Sequence, residues 1–116
     1  MRSDVLTGTE PVLAPDAAIT VTAGTHAVRF AVTGELDELG ARPLQRAILD
    51  ALRRHRPHHI TIDLDGVTFL DTAGINTLVQ SRADARQLDC RIQLSNPRPP
   101  VYRMLHIRGL LEPFGL

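Results

Sequence analysis

The chain has 116 residues, a length that fits one domain with its own buried core. Its thirteen acidic residues are balanced by thirteen basic residues, all of them arginine, so the formal net charge is zero. A neutral chain has no bulk attraction to nucleic acid or to an anionic membrane, and we expect neither as a partner.

Cysteine content and hydropathy predict a cytoplasmic protein. Cys90 is the single cysteine, so it cannot form an intramolecular disulfide, and its apolar-alternating surroundings predict a buried thiol in a reducing compartment. The first residues lack the continuous apolar region of a signal peptide. No run of sequence approaches the roughly 18 apolar residues that are needed to cross a bilayer.

Residues 1–17 show neither helical nor strand periodicity, and they contain Pro11 and Pro15. This composition predicts a flexible N-terminal leader. Ordered structure is expected to begin near Ala18, so the predicted domain covers residues 18–116.

The first half of this domain predicts a hairpin followed by a helix. Residues 19–21 and 27–32 alternate between apolar and polar, and a turn around Gly24 separates them, which is typical of antiparallel strands. The helix should end before Pro57. Arginines cluster near this C-terminal end, and we interpret them as complementing the negative end of the helix dipole and not as a nucleic-acid site. Its apolar residues recur at three-and-four spacing, at Leu44, Ala47, Ile48, Ala51 and Leu52.

The second half alternates strands with helices. Residues 59–64 are rich in β-branched side chains and predict a strand, which we expect to end in a turn at Asp65-Gly66. A helix is predicted from about Thr72 to Leu88, and a short strand at residues 91–94. A third helix is predicted from Val101, Met104 and Leu105, closed by Gly109.

This order of elements predicts a single α/β domain with a small, mostly parallel sheet, an N-terminal hairpin and alternating helices. In such domains, partners usually meet the protein at the loops that follow the carboxyl ends of the strands. The loop between the predicted strand and the second helix is therefore the candidate site.

Two residues at that loop, Asp71 and Thr72, are the candidate functional residues. Asp71 is positioned to cap the helix by accepting hydrogen bonds from the amides near Ala73 and Gly74. Thr72 then places a hydroxyl in the first turn, where a phosphate would add about −1.5 to −2 charge beside Asp71. Asp-Thr is also a common structural cap, so the pattern alone leaves both interpretations open.

Four short segments, in order, resemble one known family. They are Gly-Glu-Leu-Asp at 34–37, Ile-Asp-Leu at 62–64 with Gly66-Val67 after it, Phe-Leu-Asp-Thr-Ala-Gly-Ile at 69–75, and Asn96-Pro97 ahead of a helix that ends at Gly109-Leu110. From about residue 27 to 111 the chain resembles a STAS domain. This fold is shared by sulfate transporter tails and by the anti-sigma factor antagonists of bacteria.

The resemblance implies a phosphorylation switch. In antagonist members, the hydroxyl residue after the aspartate, usually serine, is phosphorylated by a partner that is both a kinase and an anti-sigma factor. The corresponding residue here is Thr72. The unphosphorylated protein would bind the serine/threonine-kinase anti-sigma factor and free a sigma factor, phosphorylation would release it, and a phosphatase would reset it. ATP and magnesium belong to the kinase, so no cofactor is implied for this chain.

The resemblance also implies a docking surface at the start of the second helix, with Asp37 near Thr72 on the same face. The residues assigned to it are Asp37, Asp71, Thr72, Ala73, Ile75 and Asn76. An alternative is a STAS subunit of a larger assembly, such as a transport system or a stress sensor, in which Thr72 is never modified.

An enzyme is the least favoured class. The five histidines match no zinc spacing, and the chain has no lysine for a P-loop and no dinucleotide fingerprint. Asp63 and Asp65 resemble a carboxylate pair, but turn formation and the family pattern account for them. We therefore expect a binding protein with no metal site.

Overall fold

The computed structural model of the protein describes residues 8–13 and 17–116. The strands are β1 (Gly8–Leu13), β2 (Ala17–Ala23), β3 (Ala27–Leu36), β4 (His59–Leu70) and β5 (Arg91–Ser95). The helices are α1 (Glu38–His55), α2 (Thr72–Gln87) and α3 (Pro99–Ile107), followed by a 3₁₀ turn at Glu112–Phe114. No helix in the described part of the chain is both long enough and apolar enough to span a membrane.

The strands form one five-stranded sheet in the order β1-β2-β3-β4-β5. Strand β2 pairs with β1 and with β3, and both pairings are antiparallel. Strand β4 pairs with β3 and with β5, and both pairings are parallel. Helix α1 connects β3 to β4, and α2 connects β4 to β5. The predicted α/β class, the N-terminal hairpin and the alternating helices are confirmed. Parallel pairing is confined to the second half of the sheet.

Part of the predicted leader is a strand. Gly8–Leu13 forms β1 and pairs with β2 along its whole length, from Gly8 opposite Ala23 to Leu13 opposite Ala18. The sequence did not predict this strand because Pro11 interrupts it, although proline is tolerated on a strand at the edge of a sheet. Residues 1–7 and 14–16 of the predicted leader lie outside the described residues.

The core lies between one face of the sheet and the two long helices. Val28, Ile60 and Ile92 are register neighbours on β3, β4 and β5, and all three are buried. Phe30, Ile62 and Leu94 form the next buried row two residues further along the strands. The helices complete this core with Leu44, Ile48 and Leu52 from α1 and Ile75 and Leu78 from α2.

Strand β4 does not turn at Asp65-Gly66, as the sequence predicted, but continues to Leu70. The pairing with β3 shifts between Ala31 and Thr33, where Leu64 and Asp65 together oppose one residue of β3. Such a bulge keeps a strand paired while it changes the direction of its side chains. Gly66 is required there because a Cβ would overlap Cγ2 of Thr33.

Asp63 fastens this bulge. Its Oδ1 accepts hydrogen bonds from the amide of Asp65 at 2.9 Å and from Nδ2 of Asn96 at 3.3 Å, and its Oδ2 accepts one from Nη2 of Arg29 at 2.8 Å. Burial by itself raises the pKa of Asp63, but these hydrogen bonds and the charge of Arg29 outweigh burial and lower the pKa below its ordinary value. Asp63 is thus a structural residue.

Acid should weaken the fold partly through Asp63. Because its pKa is lowered in the folded state, the ionised carboxylate stabilises the protein above the pKa of the unfolded chain. This contribution is lost as the pH falls through the lowered value. We expect the free energy of unfolding in urea to fall more between neutral pH and about pH 3 for the wild type than for Asp63→Asn. Equal losses in the two proteins would contradict this role.

Cys90 and the C-terminal turn both pack into the core. Cys90 is 3% exposed, and burial raises the pKa of its thiol to about 11, as expected of an inert buried cysteine. Phe114 is fully buried in the 3₁₀ turn, and Nε of Arg82 donates a hydrogen bond to the carbonyl oxygen of Pro113. The C-terminal turn therefore packs onto the domain.

Candidate functional site

Two matching junctions lie side by side at the carboxyl ends of β3 and β4. Leu36 and Leu70 are register partners, so the next residues, Asp37 and Asp71, begin the two junctions at the same edge of the sheet. Both aspartates have extended backbones and cap the helices that follow them. Oδ1 of each accepts a hydrogen bond at 2.9 Å from the amide three residues later, that of Gly40 or Gly74.

Gly74 brings the start of α2 close to the end of β3. The amide of Asp71 donates a hydrogen bond to the carbonyl oxygen of Leu36 at 3.4 Å. A Cβ on Gly74 would overlap that same oxygen and would lie 2.7 Å from Cδ1 of Leu70. The absence of a side chain therefore sets how closely the two junctions approach each other.

Thr72 is exposed at the first position of α2. Its Oγ1 accepts a hydrogen bond at 3.2 Å from Nη2 of Arg108, which follows α3. The hydroxyl is accessible from solvent, and the positive end of the α2 dipole lies beneath it. The sequence did not point to Arg108, because no local signal shows that the end of α3 lies beside the start of α2.

The other predicted docking residues differ in how much of each is exposed. Asn76 is exposed, and Asp37, Asp71 and Ala73 are half-buried, so each has surface at the start of α2 or beside it. Ile75 is 2% exposed and belongs to the core. The docking role predicted for Ile75 is wrong, because its side chain lies on the face of α2 that packs against the sheet.

Three large apolar side chains near these junctions remain exposed. Leu39, two residues after Asp37, is 58% exposed, and Phe69, two residues before Asp71, is 48% exposed. Ile107, which precedes Arg108, is 72% exposed. Exposed apolar side chains beside accessible polar groups are typical of a surface that binds another protein. The sequence did not identify these three side chains, because exposure at the junctions depends on how distant elements pack and not on local residue pattern.

The chemistry of the site is limited to one hydroxyl, two capping carboxylates and one guanidinium. Oδ1 of each carboxylate already accepts a backbone amide, and no histidine or carboxylate in residues 8–13 and 17–116 is hydrogen-bonded to the hydroxyl as a base. Within the described residues, no group of three or more His, Cys, Asp or Glu side chains is arranged to hold a metal ion. The arrangement suits recognition and modification of the hydroxyl by another protein.

Comparisons with known proteins place the chain in one family. The family model described as "Mlab, STAS domain" matches residues 19–113. An anti-sigma F factor antagonist of Paenibacillus polymyxa is 25% identical over 81 residues, which are 70% of this chain and 69% of that protein. Sulfate transporter 1.3 of Arabidopsis thaliana is 30% identical over 71 residues, which are 61% of this chain and 11% of the transporter.

A solved structure agrees with these sequence matches. The crystal structure of an anti-sigma factor antagonist from Mycobacterium paratuberculosis superposes with a TM-score of 0.74 at 27% identity. The superposition covers 89% of this chain and 87% of that one. The chain therefore belongs to the STAS domain family, and anti-sigma factor antagonists are among the relatives that it matches over most of both lengths.

Proposed function

We propose that this protein is an anti-sigma factor antagonist that binds a serine/threonine-kinase anti-sigma factor and is switched off by phosphorylation at Thr72. The observation that carries the proposal is the exposed Thr72 hydroxyl, which begins α2 directly after the capping Asp71. The antagonists among the relatives support the general function. A cytoplasmic location and reset by a phosphatase are parts of the same proposal.

The surroundings of Thr72 support a docking role for this surface. Leu39, Phe69 and Ile107 supply exposed apolar area, and Asn76 is an exposed polar residue on α2. A partner that covers this surface would bury the Thr72 hydroxyl at low cost, since a neutral hydroxyl needs only one hydrogen bond. A phosphate at the same position would bring about two negative charges and three strongly hydrated oxygens into the interface. The docked state would therefore lose affinity on phosphorylation.

Binding to the cognate kinase tests the switch. We expect Thr72→Glu to weaken binding at least about tenfold, because it introduces a negative charge beside Asp71. Thr72→Ser should bind as the wild type does, and isothermal titration measures all three affinities. Thr25→Glu is the matched control: Thr25 is also exposed but precedes β3, at the far end of that strand from the site. Equal affinities for Thr72→Glu and Thr25→Glu would refute the switch.

Direct phosphorylation is tested with the kinase and ATP. Intact-protein mass spectrometry should detect one added phosphate on the wild type and none on Thr72→Ala. Phosphate on the wild type at another residue, or no phosphate, would contradict the proposal for Thr72.

The second candidate function is a STAS subunit of a larger assembly in which Thr72 is not modified. The similarity to a plant sulfate transporter, of which the matched region is 11%, supports this alternative. It predicts that incubation with kinase and ATP leaves the mass of the protein unchanged, and that Thr72→Glu does not alter assembly.

A further inference from the structure

We propose that Arg108 receives the phosphate within this chain: once Thr72 is phosphorylated, the Arg108 guanidinium pairs with the phosphate and ties the end of α3 to the start of α2. This inference rests on the proposed phosphorylation of Thr72. It adds a residue 36 positions further along the chain to the switch.

The position of Arg108 is held by backbone hydrogen bonds. Arg108 caps the C-terminal end of α3, and its amide donates to the carbonyl oxygen of Met104 at 3.3 Å. The next residue, Gly109, donates its amide to the carbonyl oxygen of His106 at 3.0 Å. These hydrogen bonds anchor the backbone from which the Arg108 side chain extends. Nη2 of Arg108 therefore reaches Oγ1 of Thr72 without movement of the helix.

In the part of the chain that the structure describes, no acidic side chain neutralises the charge of Arg108. Among the described residues, Arg108 forms no ion pair, and the acceptor that its side chain contacts is the neutral Thr72 hydroxyl. A guanidinium carries five N–H donors in a planar fork that matches the oxygens of a phosphate. A phosphate on Oγ1 would offer this fork charged acceptors in place of one neutral acceptor.

Carboxylates on the neighbouring helix ends would repel a phosphate on Thr72, and the Arg108 guanidinium would offset this repulsion. Asp71 lies directly beside Thr72, and Asp37 and Glu38 lie at the start of α1. On α3, His106 is the other titratable side chain close to Arg108 in sequence. A phosphate dianion among these carboxylates is repelled by them, and Arg108 supplies the charge that offsets the repulsion.

The pairing reverses the charge that the Thr72–Arg108 pair carries. The unphosphorylated site presents the positive Arg108 beside a neutral hydroxyl, so this pair carries a charge of +1. After phosphorylation the pair carries about −0.5 to −1, since the phosphate contributes about −1.5 to −2. A partner that pairs with the Arg108 guanidinium in the unphosphorylated form meets, after phosphorylation, a guanidinium that is already occupied and a phosphate that adds negative charge.

The test uses the full chain with phosphothreonine installed at position 72 during synthesis and ³¹P NMR titration of the phosphate. A neighbouring cation favours the dianion, so Arg108 should hold the second pKa of the phosphate below its usual value near 6. We expect Arg108→Gln to raise this pKa by roughly 0.5 unit or more, and Arg108→Lys to restore part of the shift.

Arg103→Gln is the matched control, because Arg103 is exposed on α3 and has no hydrogen bond to Thr72 in the structure. Its phosphate should titrate as in the wild type. An unchanged pKa in Arg108→Gln, with the fold intact by circular dichroism, would overturn the ion pair. Failure of a kinase to modify Thr72 would refute the proposed function without changing this titration, since the phosphate is installed without a kinase.

Discussion

Replacing Gly74 with alanine should destabilise the protein by roughly 3 kcal/mol, although alanine is the better helix former. Helix propensity alone predicts that Gly→Ala stabilises a helix by about 1 kcal/mol. In this structure the added Cβ would overlap the carbonyl oxygen of Leu36 and crowd Cδ1 of Leu70. The contact with backbone has no rotamer that relieves it, so α2 must move away from the end of β3.

Urea denaturation monitored by circular dichroism measures this effect. Gly109→Ala is the control, because Gly109 has a φ of +70° and no atom lies within 4 Å of an added Cβ. That variant should lose only about 1–2 kcal/mol, which is the cost of a left-handed backbone for alanine. A Gly74→Ala protein that is as stable as the wild type would show that the close approach of α2 and β3 is not required.

Truncating Phe114 to alanine should cost about 3–5 kcal/mol, the usual range for a fully buried aromatic side chain. Phe114 is fully buried, although it lies two residues before the last described residue and in a 3₁₀ turn of only three residues. The loss would leave a cavity in the core that the sheet and the C-terminal turn share. The turn follows α3, so its detachment should also loosen the helix that carries Arg108.

The comparison with another aromatic residue separates burial from aromatic character. Tyr102 on α3 is 44% exposed, and Tyr102→Ala should cost less than about 1.5 kcal/mol because much of its area stays in water. Thermal unfolding should rank the three proteins wild type, Tyr102→Ala and Phe114→Ala in order of decreasing stability. The same stability for both variants would mean that the C-terminal turn does not belong to the core.

Local sequence patterns were sufficient for most elements of the domain. The apolar spacing of α1, the alternation of β2 and β3 and the aspartate before α2 all predicted what the structure contains. These features depend on neighbours within a few residues: one helix turn, one hairpin or one cap. For the same reason the sequence identified Asp71 and Thr72 as the residues of interest.

Contacts between distant segments decided the rest. Asp65-Gly66 is a common turn sequence, but pairing with β3 and the Asp63 hydrogen bonds hold it inside β4 as a bulge. Gly8–Leu13 became a strand because the edge of β2 was open to it. Ile75 faces the core since the direction of α2 is set by packing against the sheet, which a local pattern at the start of a helix does not specify.

The sequence by itself determined the fold class, the Asp71 cap and the hydroxyl at position 72, because each depends on residue type and spacing along a short stretch. Only the tertiary structure decided which residues surround that hydroxyl. Arg108 is 36 residues away in sequence and contacts Thr72 because α3 packs along β4 and ends beside α2. The direction in which packed elements run depends on the packing of the whole core, so a local sequence pattern does not predict it.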